Sequence, residues 1–173
     1  MLAGMIYVCG KREMPGHVRE LRPSHLVSLV ESENQPPTPE EIFSERHHRV
    51  LVDDVCESCE GCRVPVREDV EALISFLQTW GGSDPLLIHC MAGVSRSMAA
   101  ALIALALPAE GMEHEAAQAM RMSAPHARPN PLIVALGDDL LGRHGRLVTA
   151  HKAMGEAAPL LVDGPLVRLE PLG

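Results

Sequence analysis

The segment from Pro85 to Leu107 constrains this chain more than any other. Pro85-Leu-Leu-Ile-His-Cys90 is an apolar run of strand length with no polar alternation, the pattern of a strand covered on both faces. Met98 to Leu107 is apolar nearly all round, which reads as a buried helix ended by Pro108. A buried strand, a short loop and a buried helix in succession require layers on both sides of a sheet. The expected fold is therefore α/β, with a mostly parallel central sheet flanked by helices.

The rest of the chain supplies those layers. Met5 to Cys9 reads as a strand ended by Gly10, His25 to Val30 as a second, and Arg49 to Val52 as a third that ends at Asp53 and Asp54. His17 to Leu21 is a short helix stopped by Pro23, and Glu31 to Pro39 is a polar, Pro-rich loop. Thr38 is placed to cap a further short helix, Pro39 to Phe43, with Glu40 and Glu41 in its first turn. Val70, Leu73, Ile74 and Leu77 share one face of a helix over Arg67 to Trp80, where Asp69 suits the N-terminal dipole and Gly81 and Gly82 stop the chain. Glu113 to Met122, Pro131 to Leu141 and Leu147 to Met154 are the remaining helices, with a Pro-rich turn over Ser123 to Pro131. The tail, 159–173, has scattered apolar residues and carries no assignment. All 173 residues read as one domain.

Composition excludes several classes. With 46% hydrophobic residues the chain is globular, and with 2% aromatic residues its core is aliphatic and it offers few platforms for single-stranded nucleic acid. A net charge of -8 opposes nucleic acid and anionic membrane alike. No apolar run approaches the length of about eighteen residues that spans a bilayer. The apolar start, Met1 to Gly10, lacks a basic leader, so the expected location is cytoplasmic.

Cys9, Cys56, Cys59, Cys62 and Cys90 make an odd set in a chain of this size, which argues against a disulfide scaffold. Cys56-x2-Cys59-x2-Cys62 reads most simply as free thiols in a mobile loop. A metal site there lacks a fourth ligand at standard spacing, and reversible bridging to Cys90 is a further alternative. The nine His form no recognisable ligand set, and most read as surface residues. Met112, Met120 and Met122 read as core filling.

The chemistry lies between the buried strand and the buried helix. Small residues at Ala92 and Gly93 let a short loop turn successive backbone N–H groups toward one point beside a helix N-terminus, which makes an anion site suited to phosphate. Cys90, at the strand end, faces that point, where amides and the helix dipole stabilise its thiolate as a nucleophile. Arg96 brings a planar fork for two phosphate oxygens, and Ser97 offers a hydroxyl to the sulfur. His89 orients the loop through hydrogen bonds.

His89-Cys90-x5-Arg96-Ser97 resembles the signature of the protein tyrosine phosphatase superfamily, and Cys90-Met-Ala-Gly-Val-Ser-Arg96-Ser97 looks like its dual-specificity branch. Val50-Leu-Val-Asp53-Asp54 resembles the strand and loop that carry the branch's general acid. Met120-Arg121 through Pro129-Asn130, with Leu132 and Leu136, resembles its Pro-Asn helix start. The resemblance runs from residue 5 to residue 142 and leaves the tail outside.

It implies a metal-free, cofactor-free, two-step hydrolysis of phosphate monoesters. Cys90 is the nucleophile and Asp54 the acid, with Asp53 the alternative if the register slips by one. Ser97 assists sulfur departure. Phosphate is held by Arg96 and the loop residues His89, Met91, Ala92, Gly93, Val94 and Ser95. The implied partner is a phosphorylated protein or a small phosphate monoester. Arg19 and Arg22 fall near the site rim in the resembling family. The loop's lack of Lys disfavours phosphoinositides. A rhodanese-like sulfurtransferase, an arsenate reductase and a catalytically silent phospholigand-binding module are the rival readings.

Overall fold

The computed structural model describes residues 4–172. Residues 1–3 and 173, the extremes of the apolar start and of the tail, lie outside the described part. Strands β1 (Ile6–Gly10), β2 (His25–Val30), β3 (His47–Leu51), β4 (Leu86–Cys90) and β5 (Val167–Leu169) form one sheet in the order β3-β2-β4-β1-β5. All neighbours are parallel except β1 and β5, which are antiparallel. The apolar runs of β2 and β4 are central and buried throughout, as their lack of alternation requires.

Six helices cover the sheet: α1 (Met14–Leu21), α2 (Arg67–Thr79), α3 (Arg96–Ala106), α4 (Glu113–Ser123), α5 (Pro131–Leu140) and α6 (Arg146–Ala153). The larger core joins one sheet face to α2, α3, α4, α5 and α6, with Ile6, Val8, Leu86, Ile88 and Cys90 pointing into it. The smaller core lies on the opposite face, where Cys9, Leu26 and Leu87 meet Met14 and Val18 of α1. Every residue of α3 is buried, so the helix runs through the protein rather than over it. Val70, Leu73, Ile74 and Leu77 form the buried stripe of α2, as their spacing predicts.

Helix α1 begins earlier than expected, at Met14, because Pro15 suits a first turn and Met14 and Val18, one turn apart, both bury. Strand β3 begins at His47, two residues before Arg49, because His47 is buried and His48 stacks on Phe76 with 5.1 Å between ring centroids.

Four expectations are corrected. The short helix over Pro39–Phe43 does not form. Its intended cap is already engaged, since the Thr38 hydroxyl lies 2.8 Å from His47 Nδ1 and accepts from Arg49 Nη2 at 2.9 Å. A single turn replaces the helix, closed by Ile42 N–H donating to the Pro39 carbonyl at 3.0 Å. Met120 is core, but Met112 and Met122 are exposed, Met122 at 83%. Two residues on a helix differ by more than half a turn, so Met120 and Met122 cannot share a face. His47 and His126 are buried rather than superficial. Finally, Cys59 and Cys62 are joined as a disulfide, while Cys56 is a free, exposed thiol.

The unassigned tail forms β5. Val167 and Leu169 face inward and Arg168 outward, a two-residue period over only three residues.

Candidate active site

The loop from His89 to Ser97 links β4 to α3, and main-chain contacts shape it. Gly93 has a φ of 72°, and a Cβ there would lie 2.6 Å from the Cys9 carbonyl carbon and 2.8 Å from Gly10 N, so only glycine fits. Four of the loop's carbonyls are held from outside. Met91 O accepts from Lys11 N at 3.0 Å, Ala92 O from Gly164 N at 2.8 Å, Val94 O from Arg128 N at 2.9 Å and Ser95 O from Asn130 N at 3.2 Å. The peptides of the loop are trans, so the N–H of each of these units points the opposite way. One of them, Gly93 N–H, reaches Cys90 Sγ at 3.3 Å. The loop is thus held open as a cradle of amides, beside the N-terminus of α3.

Cys90 is 2% exposed and sits at the base of this cradle, with Sγ also 3.1 Å from Ser97 Oγ. Arg96, 3% exposed, donates through Nη1 to Glu31 Oε1 at 2.9 Å and to the Val52 carbonyl at 2.8 Å. These contacts aim the guanidinium without exhausting it. Its Nε is buried and has no partner among the described residues. A buried donor left open costs stability unless a ligand completes it.

The two adjacent aspartates separate cleanly. Asp54 Oδ1 accepts from Ser95 Oγ at 2.7 Å and from Asn130 Nδ2 at 3.1 Å, which places this exposed carboxyl at the loop. Asp53 turns away. Its Oδ2 accepts from Arg63 N at 2.6 Å, and Asp53 N donates to Arg63 O at 2.9 Å, closing the cysteine-bearing loop. Asn130 also accepts from Leu132 N and Ile133 N at 3.1 Å each, so one side chain caps α5 and holds the Asp54 segment.

His89 lies on the opposite sheet face from Cys90, with Nδ1 3.2 Å from Cys90 O and Nε2 2.6 Å from Ser28 Oγ. Burial pushes it down to about 4, against the upward pull of the Cys90 carbonyl, and Lys11 and Arg96 add to the fall, so it is neutral at pH 7. The second buried thiol, Cys9, is pushed up to about 12 by burial and then by Cys90 and Glu13, and it stays protonated. Among the described residues, no group of three or more His, Cys, Asp or Glu side chains is placed to hold a metal ion.

The structure therefore brings together Cys90, Arg96, Ser97, Asp54, His89 and the loop residues Met91 to Ser95, and it leaves Asp53 outside. Sequence reasoning missed Glu31, Ser28 and His47, and it saw Asn130 only as a helix start. A Glu directly after a buried strand, facing a loop Arg, has no local signature.

No family model matches the chain, and no curated protein sequence matches it. Solved structures do. Against the Cydia pomonella PTP-2 phosphatase the identity is 21%, with 95% of this chain and 93% of that one covered and a TM-score of 0.58. Against DUSP15 it is 19%, with 90% and 99% covered and a TM-score of 0.61. PTPMT1, solved in complex with PI(5)P, is 15% identical, with 85% and 94% covered and a TM-score of 0.59. At such identities the likeness establishes the fold. It is the dual-specificity-phosphatase-like fold of the protein tyrosine phosphatase superfamily.

Proposed function

We propose that this chain is a phosphatase that hydrolyses phosphate monoesters through Cys90, with phosphorylated protein side chains as its substrate class. The observation that carries the reading is the cradle itself: Gly93 N–H and Ser97 Oγ both meet Cys90 Sγ, beside a buried arginine with an open N–H.

Arg96 and the loop amides grip the phosphate oxygens and stabilise the charge that spreads over them in the transition state. Cys90 Sγ attacks phosphorus, the S–P bond forms, and the bond to the leaving oxygen breaks. Asp54 protonates that oxygen. Oδ1 already accepts two hydrogen bonds, so the proton to be given sits on Oδ2. Water then attacks phosphorus while Asp54 takes its proton. The P–S bond breaks, and the electron pair returns to a sulfur stabilised by Ser97 and Gly93.

Two features favour a phosphoprotein over a phosphoinositide. Met91 to Ser95 contain no Lys, and the chain carries a net charge of -8. The PI(5)P complex of PTPMT1 makes a phosphoinositide the natural comparison substrate.

The test is hydrolysis of p-nitrophenyl phosphate across pH, with a reductant and a chelator present. Cys90→Ser should abolish turnover, and Asp54→Asn should lower it by about 100-fold or more and flatten the pH profile. Absence of turnover by the reduced wild type would sink the reading.

A further inference from the structure

A line of hydrogen bonds crosses from Arg49 on β3 to the main chain of Cys90, and it admits one direction only. Arg49 Nη2 donates to Thr38 Oγ1 at 2.9 Å, and Thr38 Oγ1 lies 2.8 Å from His47 Nδ1. His47 Nε2 lies 2.8 Å from Ser28 Oγ, which lies 2.6 Å from His89 Nε2, and His89 Nδ1 lies 3.2 Å from Cys90 O. Ser28, His47 and His89 are all buried. Both rings are neutral at pH 7. Burial dominates for each and pushes each down to about 4, with Arg49, His89 and His48 facing His47, and Lys11 and Arg96 facing His89.

The ends of the line settle its middle. A carbonyl only accepts, so His89 carries its proton on Nδ1 and is bare at Nε2. Ser28 must then donate to Nε2. A hydroxyl has one proton, so Ser28 accepts from His47 Nε2–H. His47 is in turn bare at Nδ1 and accepts from Thr38, whose oxygen accepts from a guanidinium that only donates. Every donor points toward Cys90, an arrangement in which successive bonds polarise one another.

We propose that His47 is a positioning residue for the nucleophile: through Ser28 it locks His89 in the Nδ1–H tautomer, and so holds the Cys90 carbonyl and the direction of Sγ. The inference rests on reading Cys90 as the nucleophile. Without the His47 N–H, the Ser28 hydroxyl is free to turn and accept from His89 Nε2–H. The bare Nδ1 would then face the lone pairs of the Cys90 carbonyl. Four neighbouring carbonyls of the loop are held by main-chain amides, whereas the Cys90 carbonyl is held by this imidazole.

The experiment compares wild type with His47→Gln, which keeps an N–H for Ser28, and His47→Leu, which has none. Three readouts are taken: the His89 tautomer from ring nitrogen-15 shifts, the rate of Cys90 alkylation by iodoacetamide read on its own peptide, and p-nitrophenyl phosphate turnover. The Nδ1–H tautomer should hold in wild type and His47→Gln. His47→Leu should show a mixture of tautomers and a loss of about fivefold to tenfold in alkylation rate and kcat, the effect of one hydrogen bond. Retention of the single tautomer in His47→Leu would overturn the proposal. So would equal rate losses in both variants, which would mark His47 as packing alone. If His47→Leu does not fold, His47→Met, which also lacks an N–H for Ser28, takes its place, and a fixed tautomer there overturns the proposal too. Absence of turnover in a wild type whose tautomer and alkylation follow the expected pattern would remove the phosphatase reading and uphold the relay.

Discussion

Acid should weaken this protein through its buried imidazoles, and His47 should carry a separable share. In the folded state His47 is pushed down to about 4 from an ordinary 6.5, mainly by burial. The unfolded chain regains the ordinary value, so between pH 6.5 and 4 it binds a proton that the folded chain refuses. The stability contributed by the neutral ring is therefore complete above about 6.5 and is lost as pH falls. From these two values the loss is about 2 kcal/mol at pH 5 and about 3 kcal/mol at pH 4. His89, also pushed down to about 4, adds a loss of the same sign and about the same size. A domain with a total stability of about 5–15 kcal/mol would lose a large part of it by pH 4.

Urea unfolding of wild type and His47→Gln at pH 7, 6 and 5, followed by circular dichroism, isolates the share of His47. Glutamine does not titrate, and the other histidines pushed down by burial, His25, His48, His126 and His151, cancel in the subtraction. Wild type should lose about 2 kcal/mol more than the variant between pH 7 and pH 5. Parallel curves would refute the assignment of a buried, neutral His47.

Three other outcomes follow from the geometry. Gly93→Ala should abolish inorganic phosphate binding in calorimetry and cost about 2 kcal/mol or more in unfolding, because its Cβ meets main chain at a positive φ. Asn130→Asp keeps the oxygen that caps α5 but loses the N–H groups that hold Asp54 and Val55. Its melting temperature should stay near that of wild type, while turnover of alkyl phosphates, which need the acid most, falls about tenfold. Thiol titration of the unreduced native protein should find Cys56 and Cys90 reactive, Cys9 only on unfolding, and Cys59 and Cys62 only after reduction.

Where a residue's neighbours in sequence decide its conformation, the chain was readable. The stripe of α2, the buried runs of β2 and β4, and the glycine that lets the loop after β4 turn all rest on local period or local sterics, and these elements form as expected. What escaped depends on partners far away in sequence. Thr38 looks like a helix cap until His47 and Arg49 occupy its hydroxyl. Strand β5 is too short to show its alternation and exists because β1 offers an edge. Asp54 and Asp53 are equivalent as letters, and they part only because Ser95 and Asn130 approach one and Arg63 approaches the other. Glu31 gains its meaning from a guanidinium on a different element.

The cradle is clasped from three remote stretches of chain: Lys11 beyond β1, Arg128 and Asn130 before α5, and Gly164 just ahead of β5. A Cβ at Gly164 would crowd the clasp, lying 2.9 Å from His126 Nε2 and 3.1 Å from the Gly93 carbonyl oxygen. On the phosphatase reading, closure of the cradle, and phosphate affinity with it, is therefore a late event in folding. Local helices form early, whereas contacts of long sequence separation wait for loop closure. During refolding, helical signal should return before phosphate affinity does. A kinetic intermediate that lacks the tail's clasp would contain every residue of the signature and still be inert.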